Sequence, residues 1–469
     1  MNSQNKKMEL LGSASIPKAL LKMGIPTMIG MLVNAFYNLV DAYFVGGLGE
    51  SQMGAISVVY PLGQVVVGLG LLFGNGAASY ISRLLGRGDK ENADKVASIS
   101  LYSSISVGAA IIIISMVFLN PILKLLGATD SILPYAATYA SIYIVSCIFN
   151  VFNVTMNNIV TSEGAAKTTM CALLMGAILN IALDPLFVYV FDLGVAGAAI
   201  ATAISQVVSA CVYLTYILQK KSVFHFRIKD CTYTKEAPSG NTSMRFVSTK
   251  VIMSEIFKIG IPTLTFQILT SVSISLINNA AGGYGDSAIA GMGVVTRLIS
   301  MGSLSVFGFI KGFQPIAGYS YGAEKFDRLR EAIRTSILWS TVFCVIFGLI
   351  LALFPAAIVS QFTKGDAEMI RIGAVSLRAN GISIMLFGFY TVYSSLFLAL
   401  GKGREGFILG ACRQGICFIP VILLLPMVWG LNGILYAQPI ADVLSAIITV
   451  FMAIALHRKL NDMQNKPLQ

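Results

Sequence analysis

Runs of about 20 or more apolar residues recur from one end of the chain to the other, and each is long enough to cross a bilayer as a helix. That pattern excludes most folds at once. Of the 469 residues, 56% are hydrophobic and 12% charged, and the mean hydropathy is +0.77. Soluble domains carry about twice that charge fraction. The sequence therefore reads as an all-α polytopic membrane protein. Apolar runs set against polar breaks give twelve spans, near 18–44, 53–82, 93–119, 131–160, 165–191, 194–218, 253–280, 287–317, 328–354, 368–399, 404–429 and 431–456. The first run, 16–44, is too long for the core of a cleavable leader and is expected to remain as a span.

The charged loops fix an orientation. Arg83, Arg87, Lys90 and Lys95 lie between spans two and three, and Lys325, Arg328, Arg330 and Arg334 between eight and nine. A third basic group, Lys220 to Lys258, surrounds the central loop, whereas the alternate loops hold only Lys124, Lys364 and Arg371. By the positive-inside rule both termini and the central loop are expected in the cytoplasm. The net charge of +11 is thus a matter of topology, and no nucleic-acid partner is expected. Seven scattered cysteines without a C-x-x-C pair are expected to be free, buried thiols. His225 and His457 are too few and too remote to build a metal cluster or a Ser-His pair within the membrane. No phosphate-binding G-x-x-x-x-G-K-[ST] loop is present, which argues against ATP-driven pumping.

The two halves repeat each other. "KMGIPT" at 22–27 returns as "KIGIPT" at 258–263, a shift of 258 − 22 = 236. The same shift pairs Gly49 with Gly285, Gly86 with Gly322, Asp130 with Asp366 and Gly197 with Gly433. A register held over such a length indicates duplication. Six spans per copy is an even number, so the copies share one orientation and form parallel repeats around a central cleft. The expected units are a lobe over 1–218, a cytoplasmic linker over 219–252, rich in Ser, Thr, Pro and Gly around 237–243, and a lobe over 253–469. Small residues four apart, Gly70 with Gly74 and Gly406 with Gly410, suit close helix packing.

The intramembrane carboxylates break this symmetry. Asp41 lies in span one and Asp184 in span five, with Asn180 at i−4 on the same face. Their counterparts at the shift of 236 are Ile277 and Pro420. No lysine or arginine lies deep in the first lobe, so these carboxylates either hold a proton or bind a cation. Helix-to-helix pairing with polar neighbours is the plainer alternative. Thr202 and Ala198 form another i, i+4 pair in span six. Pro26 and Pro185 each remove a backbone donor, leaving a kink that is either static or a hinge. Asp442 in span twelve is expected to pair with a second-lobe base, and Arg297 and Lys311, 14 apart, are expected on one face of span eight.

Taken together, "GIPT" opening each half, "NLVDAYFVG" at 38–46, "ALDPLF" at 182–187 and "GFQPIAGYSYGA" at 312–323 resemble the MATE (multidrug and toxic compound extrusion) family, in particular its bacterial multidrug-efflux subgroup. The resemblance runs from about residue 16 to 457. It implies a secondary active antiporter of the bacterial inner membrane. Such a protein exports lipophilic organic cations through alternating access, driven by inward Na+ or H+, without a cofactor. It also implies a cation site on Asp41, Asn180, Asp184 and Thr202, with Ala198 beside it through its backbone, and a Pro26 that bends when the site changes state. Span seven carries Thr270 where one branch of the family has a glutamate, which argues against coupling in the second lobe. Asp442 and Arg297 are subsidiary candidates. The expected partners are amphipathic cationic small molecules and the lipid bilayer, the chain acting as a monomer and not as an enzyme. Two competing readings are a flippase for lipid-linked saccharide, which would want a basic cavity, and an intramembrane aspartyl protease, whose G-x-G-D loop is absent.

Overall fold

The computed structural model describes residues 3–46, 48, 50–126, 128–231, 247–362 and 366–464. The first half comprises α1 (Ser3–Gly12), α2 (Ile16–Gly46), α3 (Glu50–Gly86), α4 (Lys90–Val117), α5 (Leu119–Leu125), α6 (Leu133–Ser162), α7 (Ala166–Pro185) and α8 (Gly194–Leu218). The second comprises α9 (Thr249–Gly282), α10 (Asp286–Gly322), α11 (Phe326–Leu353), α12 (Pro355–Ser360), α13 (Ala367–Ser383), α14 (Phe387–Ala399), α15 (Gly403–Ala411), α16 (Phe418–Trp429) and α17 (Leu431–Gln464). A π turn, Leu186–Val190, extends α7, a 3-10 turn, Ile384–Leu386, joins α13 to α14, and a second π turn, Cys412–Ile416, joins α15 to α16. Among the described residues, twelve segments are long and apolar enough to cross a membrane, as the apolar runs predict. Large apolar side chains such as Ile113, Val190, Leu424 and Val428 are exposed around the outside, as a lipid-facing surface requires.

Three departures from the predicted spans have physical causes. Apolar windows close at the first polar residues, whereas helical hydrogen bonding continues past them, so α3 and α10 run to Gly86 and Gly322. The polar N-terminal stretch is helical because it docks: Lys325 Nζ donates to the Gly12 carbonyl (3.0 Å), and Arg328 to those of Leu11 (3.1 Å) and Ala14 (2.5 Å). The short helices α5 and α12 also escape a span-by-span reading, yet they obey the repeat, since 119 + 236 = 355. Not every cysteine is buried. Cys171 and Cys211 are exposed on α7 and α8, positions on apolar helices where a thiol serves as a small apolar surface residue. The linker segment around 237–243 lies outside the described residues.

Duplication is visible in how the halves meet. Helix α2 packs on α10, and its repeat partner α9 packs on α3, so the two seams are related by the same two-fold. Glycines make each seam possible. Gly312 lies against the Gly24 backbone, leaving no room for a Cβ, while Gly76 sits on the Ile256 carbonyl and Gly260 on that of Leu72. These are repeat partners, because 24 + 236 = 260 and 76 + 236 = 312. Farther along, Gly86 abuts the Tyr319 carbonyl and Gly322 that of Arg83, again with no space for a side chain. Within the first half, Gly70 and Gly74 admit α6 against α3 at Val154 and Asn158, the close packing predicted for that pair.

These contacts close one end of the molecule, here the basic face, which carries Arg83, Arg87, Lys325 and Arg328. Arg83 pairs with Glu255 across the seam at 2.9 Å, and Lys258 reaches the same carboxylate at 3.3 Å. Helix α1 straps both halves there. Beyond its bonds to Lys325 and Arg328, it offers Lys7 to the buried Glu163 of the α6–α7 turn (3.2 Å). Glu163 also accepts from Ser222 Oγ (3.0 Å), the Val223 N–H (2.6 Å) and the Tyr216 hydroxyl. Burial pushes its carboxyl above the ordinary glutamate value, opposed by the Lys7 charge and by those hydrogen bonds.

Candidate functional site

Three helices of the first half bring the predicted residues together. Helix α2 supplies Asp41, α7 supplies Asn180 and Asp184 one turn apart, and α8 supplies Thr202. Asp184 is 0% exposed and Asn180 1%, while Asp41 is half-buried. The Asn180 amide donates to Asp184 Oδ1 and to Thr202 Oγ1, each at 3.4 Å, and so ties α7 to α8. The carboxyls of Asp41 and Asp184 lie within hydrogen-bond reach of each other. Two carboxyl groups cannot remain that close without a shared proton or an intervening cation. Three oxygens of the cluster, Asp41 Oδ1, Asp184 Oδ2 and Asn180 Oδ1, are buried without a hydrogen-bond partner among the described residues. An unpaired acceptor in a buried site carries its full desolvation cost, and a bound Na+ or proton would relieve it. Pro185 follows Asp184 directly and ends the α-helix, and the chain continues in the π turn Leu186–Val190. Such turns place backbone and side chains where a regular helix cannot.

Ala198 is buried one turn before Thr202, packed with Val188, Val195 and Ala199. Its methyl group thus lies in an apolar cluster, and any part in the site falls to its backbone. Pro26 is buried within a continuous α2. It lies 15 residues from Asp41, about 22 Å along the helix axis, so any influence on the site travels through α2. The next residue, Thr27, donates to the Gly308 carbonyl of α10 at 2.6 Å and fixes this part of α2 to the seam.

The second half repeats the scaffold without the carboxylate pair. Ile277 is buried in an apolar cluster with Met292, Phe418 and Ile422, and Pro420 is exposed. Asp442 is fully paired, as expected of a second-lobe acid: Oδ1 accepts from Arg413 Nε (2.9 Å) and Gln438 Nε2 (2.8 Å), and Oδ2 from Ser383 Oγ (2.9 Å). Gln438 is the repeat partner of Thr202 (202 + 236). Arg413 sits in the π turn between α15 and α16, with its guanidinium 4.5 Å from the Phe387 ring centroid. Arg297 is exposed, whereas Lys311 lines the interior.

Between the halves lies a cavity of about 800 Å³, the size of drug-binding clefts. It reaches Asn75, Lys311 and Gln314 at the depth nearest the basic face and Ser57, Asn278 and Met292 towards the other. Gly86 lies 86 − 75 = 11 residues beyond Asn75, so about 16 Å of packed helix separates the cavity from the basic face. Phe266, Phe307 and Tyr60 line it together with many hydroxyls and amides. None of the first-half carboxylate cluster is among these lining residues. Sequence reasoning missed two features. Lys311 counted only as one of several second-half bases, and Glu163 gave no signal because its partners come from α1, from the end of α8 and from the residues just beyond it.

The family model described as MatE matches residues 26–186 and again 262–424. The chain belongs to the MatE family. The two matches begin 262 − 26 = 236 residues apart, the shift of the internal repeat, so each half of this MATE protein is one copy of the family unit. Among similar proteins is the multidrug export protein MepA of Staphylococcus aureus (strain MSSA476), 31% identical over 444 residues, covering 94% of both chains. MepA of Staphylococcus saprophyticus is 31% identical over 448 residues, 95% of both. An outward-facing multidrug resistance MATE transporter of the MOP superfamily superposes with a TM-score of 0.89 at 26% identity, covering 97% of this chain and 99% of that one. The protein is therefore a multi-pass MATE transporter of the cell membrane.

Proposed function

We propose that this MATE transporter is an antiporter that exports amphipathic drug-sized molecules, lipophilic organic cations among them, in exchange for inward Na+ or H+ bound at Asp41, Asn180, Asp184 and Thr202. The observation that carries the coupling site is the trio of buried, partnerless oxygens on Asp41, Asp184 and Asn180. A site meant only to hold helices together would pair them, as the second half pairs Asp442. Export is supported by the likeness to the MepA proteins and by the 800 Å³ cavity between the halves.

In this reading the basic face is cytoplasmic, by the positive-inside rule. The closed seam then lies inside the cell and the cavity belongs to an outward-facing state. Lobes 1–218 and 253–469 rock about the seam, joined by the linker 219–252. Loading the site with a cation removes repulsion between Asp41 and Asp184 and draws α2, α7 and α8 together, with Pro26 as the bend that passes the change to α10 through Thr27. Each net charge carried inward down 100 mV supplies about 2.3 kcal/mol, enough for a roughly 50-fold drug gradient. One chain contains both cavity and coupling site, so a monomer suffices. The test is efflux of ethidium from proteoliposomes under Na+ and H+ gradients imposed separately. Acceleration by one gradient supports antiport. Equal rates with and without either gradient would refute it.

A further inference from the structure

The cavity has the wrong charge for a vessel that takes only cations. Among the described residues that line it there is no aspartate or glutamate, and the charged ones are Lys311 and Arg413. Arg413 is neutralised by Asp442 behind it, at 2.9 Å. Lys311 has no ion-pair partner among the described residues. Its Nζ donates to the amide oxygen of Asn157, a neutral acceptor from the opposite half. An ammonium has three donors, and that contact uses one.

We propose that Lys311 is an anion subsite at the inner end of the cavity, and that it takes the carboxylate of an aromatic, amphipathic zwitterion. This rests on the reading of the protein as a transporter of amphipathic molecules and names the substrate class its cavity favours. Three features specify the ligand. The lining's formal charge of two cations, less the one that Asp442 cancels, leaves a single positive charge. That suits one carboxylate better than the pyrophosphate of a lipid-linked saccharide. Around Lys311, Asn75, Asn158 and Gln314 supply amides that can donate to a carboxylate. Farther from the basic face, Phe266, Phe307 and Tyr60 offer ring faces to an aromatic body, and such faces also attract a cationic centre. A simple cation meets uncompensated repulsion from Lys311, while a zwitterion turns that charge into an attraction. Export of a neutral zwitterion also lets every inward ion move a net charge, so the exchange draws on the membrane potential. One-for-one exchange of two monovalent cations does not.

The probes are a matched pair, rhodamine 110, which bears a free carboxylate, and its methyl ester rhodamine 123, a cation. Binding is read by fluorescence anisotropy on the purified full chain in lipid nanodiscs, without any gradient. Wild type should bind the acid at least about tenfold tighter than the ester, an energetic difference typical of one charge-assisted contact. Lys311→Met should reverse the order, weakening the acid and strengthening the ester, whereas Lys311→Arg should keep it. Asn157→Ala, which removes the lysine's neutral partner, should leave the preference for the acid in place. Equal affinity of wild type for the two dyes, tighter binding of the ester, or a parallel loss of both in Lys311→Met would overturn the subsite. The wild-type ratio decides even if a variant fails to fold. Gradient-driven transport of the same dyes in proteoliposomes is scored separately. Preferential binding without gradient-driven movement would uphold the subsite and refute antiport.

Discussion

Two buried aspartates of one chain have opposite surroundings, and the difference assigns their roles. Asp442 is saturated by Arg413, Gln438 and Ser383, while Asp184 keeps one oxygen without a partner. Removing the charge should therefore have opposite consequences. Asp442→Asn leaves Arg413 buried and unpaired and should cost about 3 kcal/mol, the usual scale for breaking a buried pair, seen as a lower melting temperature in detergent. Asp184→Asn and Asp41→Asn remove an unpaired acceptor and supply a donor, so melting should be unchanged or raised while coupling is lost. A melting loss in Asp184→Asn equal to that in Asp442→Asn would return Asp184 to a structural role. Thr202→Val removes one neutral ligand and should weaken coupling less than either aspartate change. The chain position of these residues was legible in the sequence, because a carboxylate in an apolar run without a nearby base is conspicuous. That Asp442 would pair with a second-half base was legible too; that the base is Arg413 was not, since it depends on how the π turn Cys412–Ile416 is set against α17.

At the scale of elements, α2 connects the site to the seam. It carries Asp41 near one end, Pro26 near the other, and Thr27 bonded to α10 at 2.6 Å. Pro26→Ala should leave cation binding intact and slow transport several-fold, measured as initial efflux rate; a variant moving drug at the parental rate would reduce Pro26 to a static kink. The proline is duplicated, as Pro262 in α9, whereas the carboxylates are not. On the proposed reading, a hinge in both halves with a coupling site in one would let a symmetric motion follow from an asymmetric trigger. Helix α1 is the element the sequence concealed. Its polar residues outnumber its apolar ones, so hydropathy passes it over, and besides burying Leu11 it is held by Glu163 of the α6–α7 turn and by Lys325 and Arg328 at the start of α11. Lys7→Ala leaves Glu163 without its cation and should free α1, read as faster hydrogen exchange over residues 3–12 in the native protein. Unchanged exchange there would show that the Lys325 and Arg328 contacts hold the strap alone.

For the molecule as a whole, the repeat foretold more than the hydropathy did. A shift of 236 residues relates the spans, the short helices α5 and α12 and the glycine seams, all from positions readable in the chain. What it could not foretell is that the repeated glycines meet across the two-fold, because contact between copies is a property of the assembled bundle. Adding a methyl group to that seam tests its role in closing the basic face. Gly312→Ala would press on the Gly24 backbone, where nothing flexible can yield, and should shift the population towards a state open on that face. Labelling of Asn75→Cys with a membrane-impermeant thiol reagent from the basic side should then rise; no change would mean that the packing tolerates the methyl. The central claim remains that an unsymmetrical, unpaired carboxylate cluster drives a symmetrical machine. It is tested most directly in proteoliposomes by comparing wild type with Asp184→Asn for drug efflux under an imposed Na+ or H+ gradient, with downhill drug exchange as the control. The account predicts that the variant keeps downhill exchange and loses gradient-driven efflux. Efflux at the wild-type rate under the same gradient would contradict it.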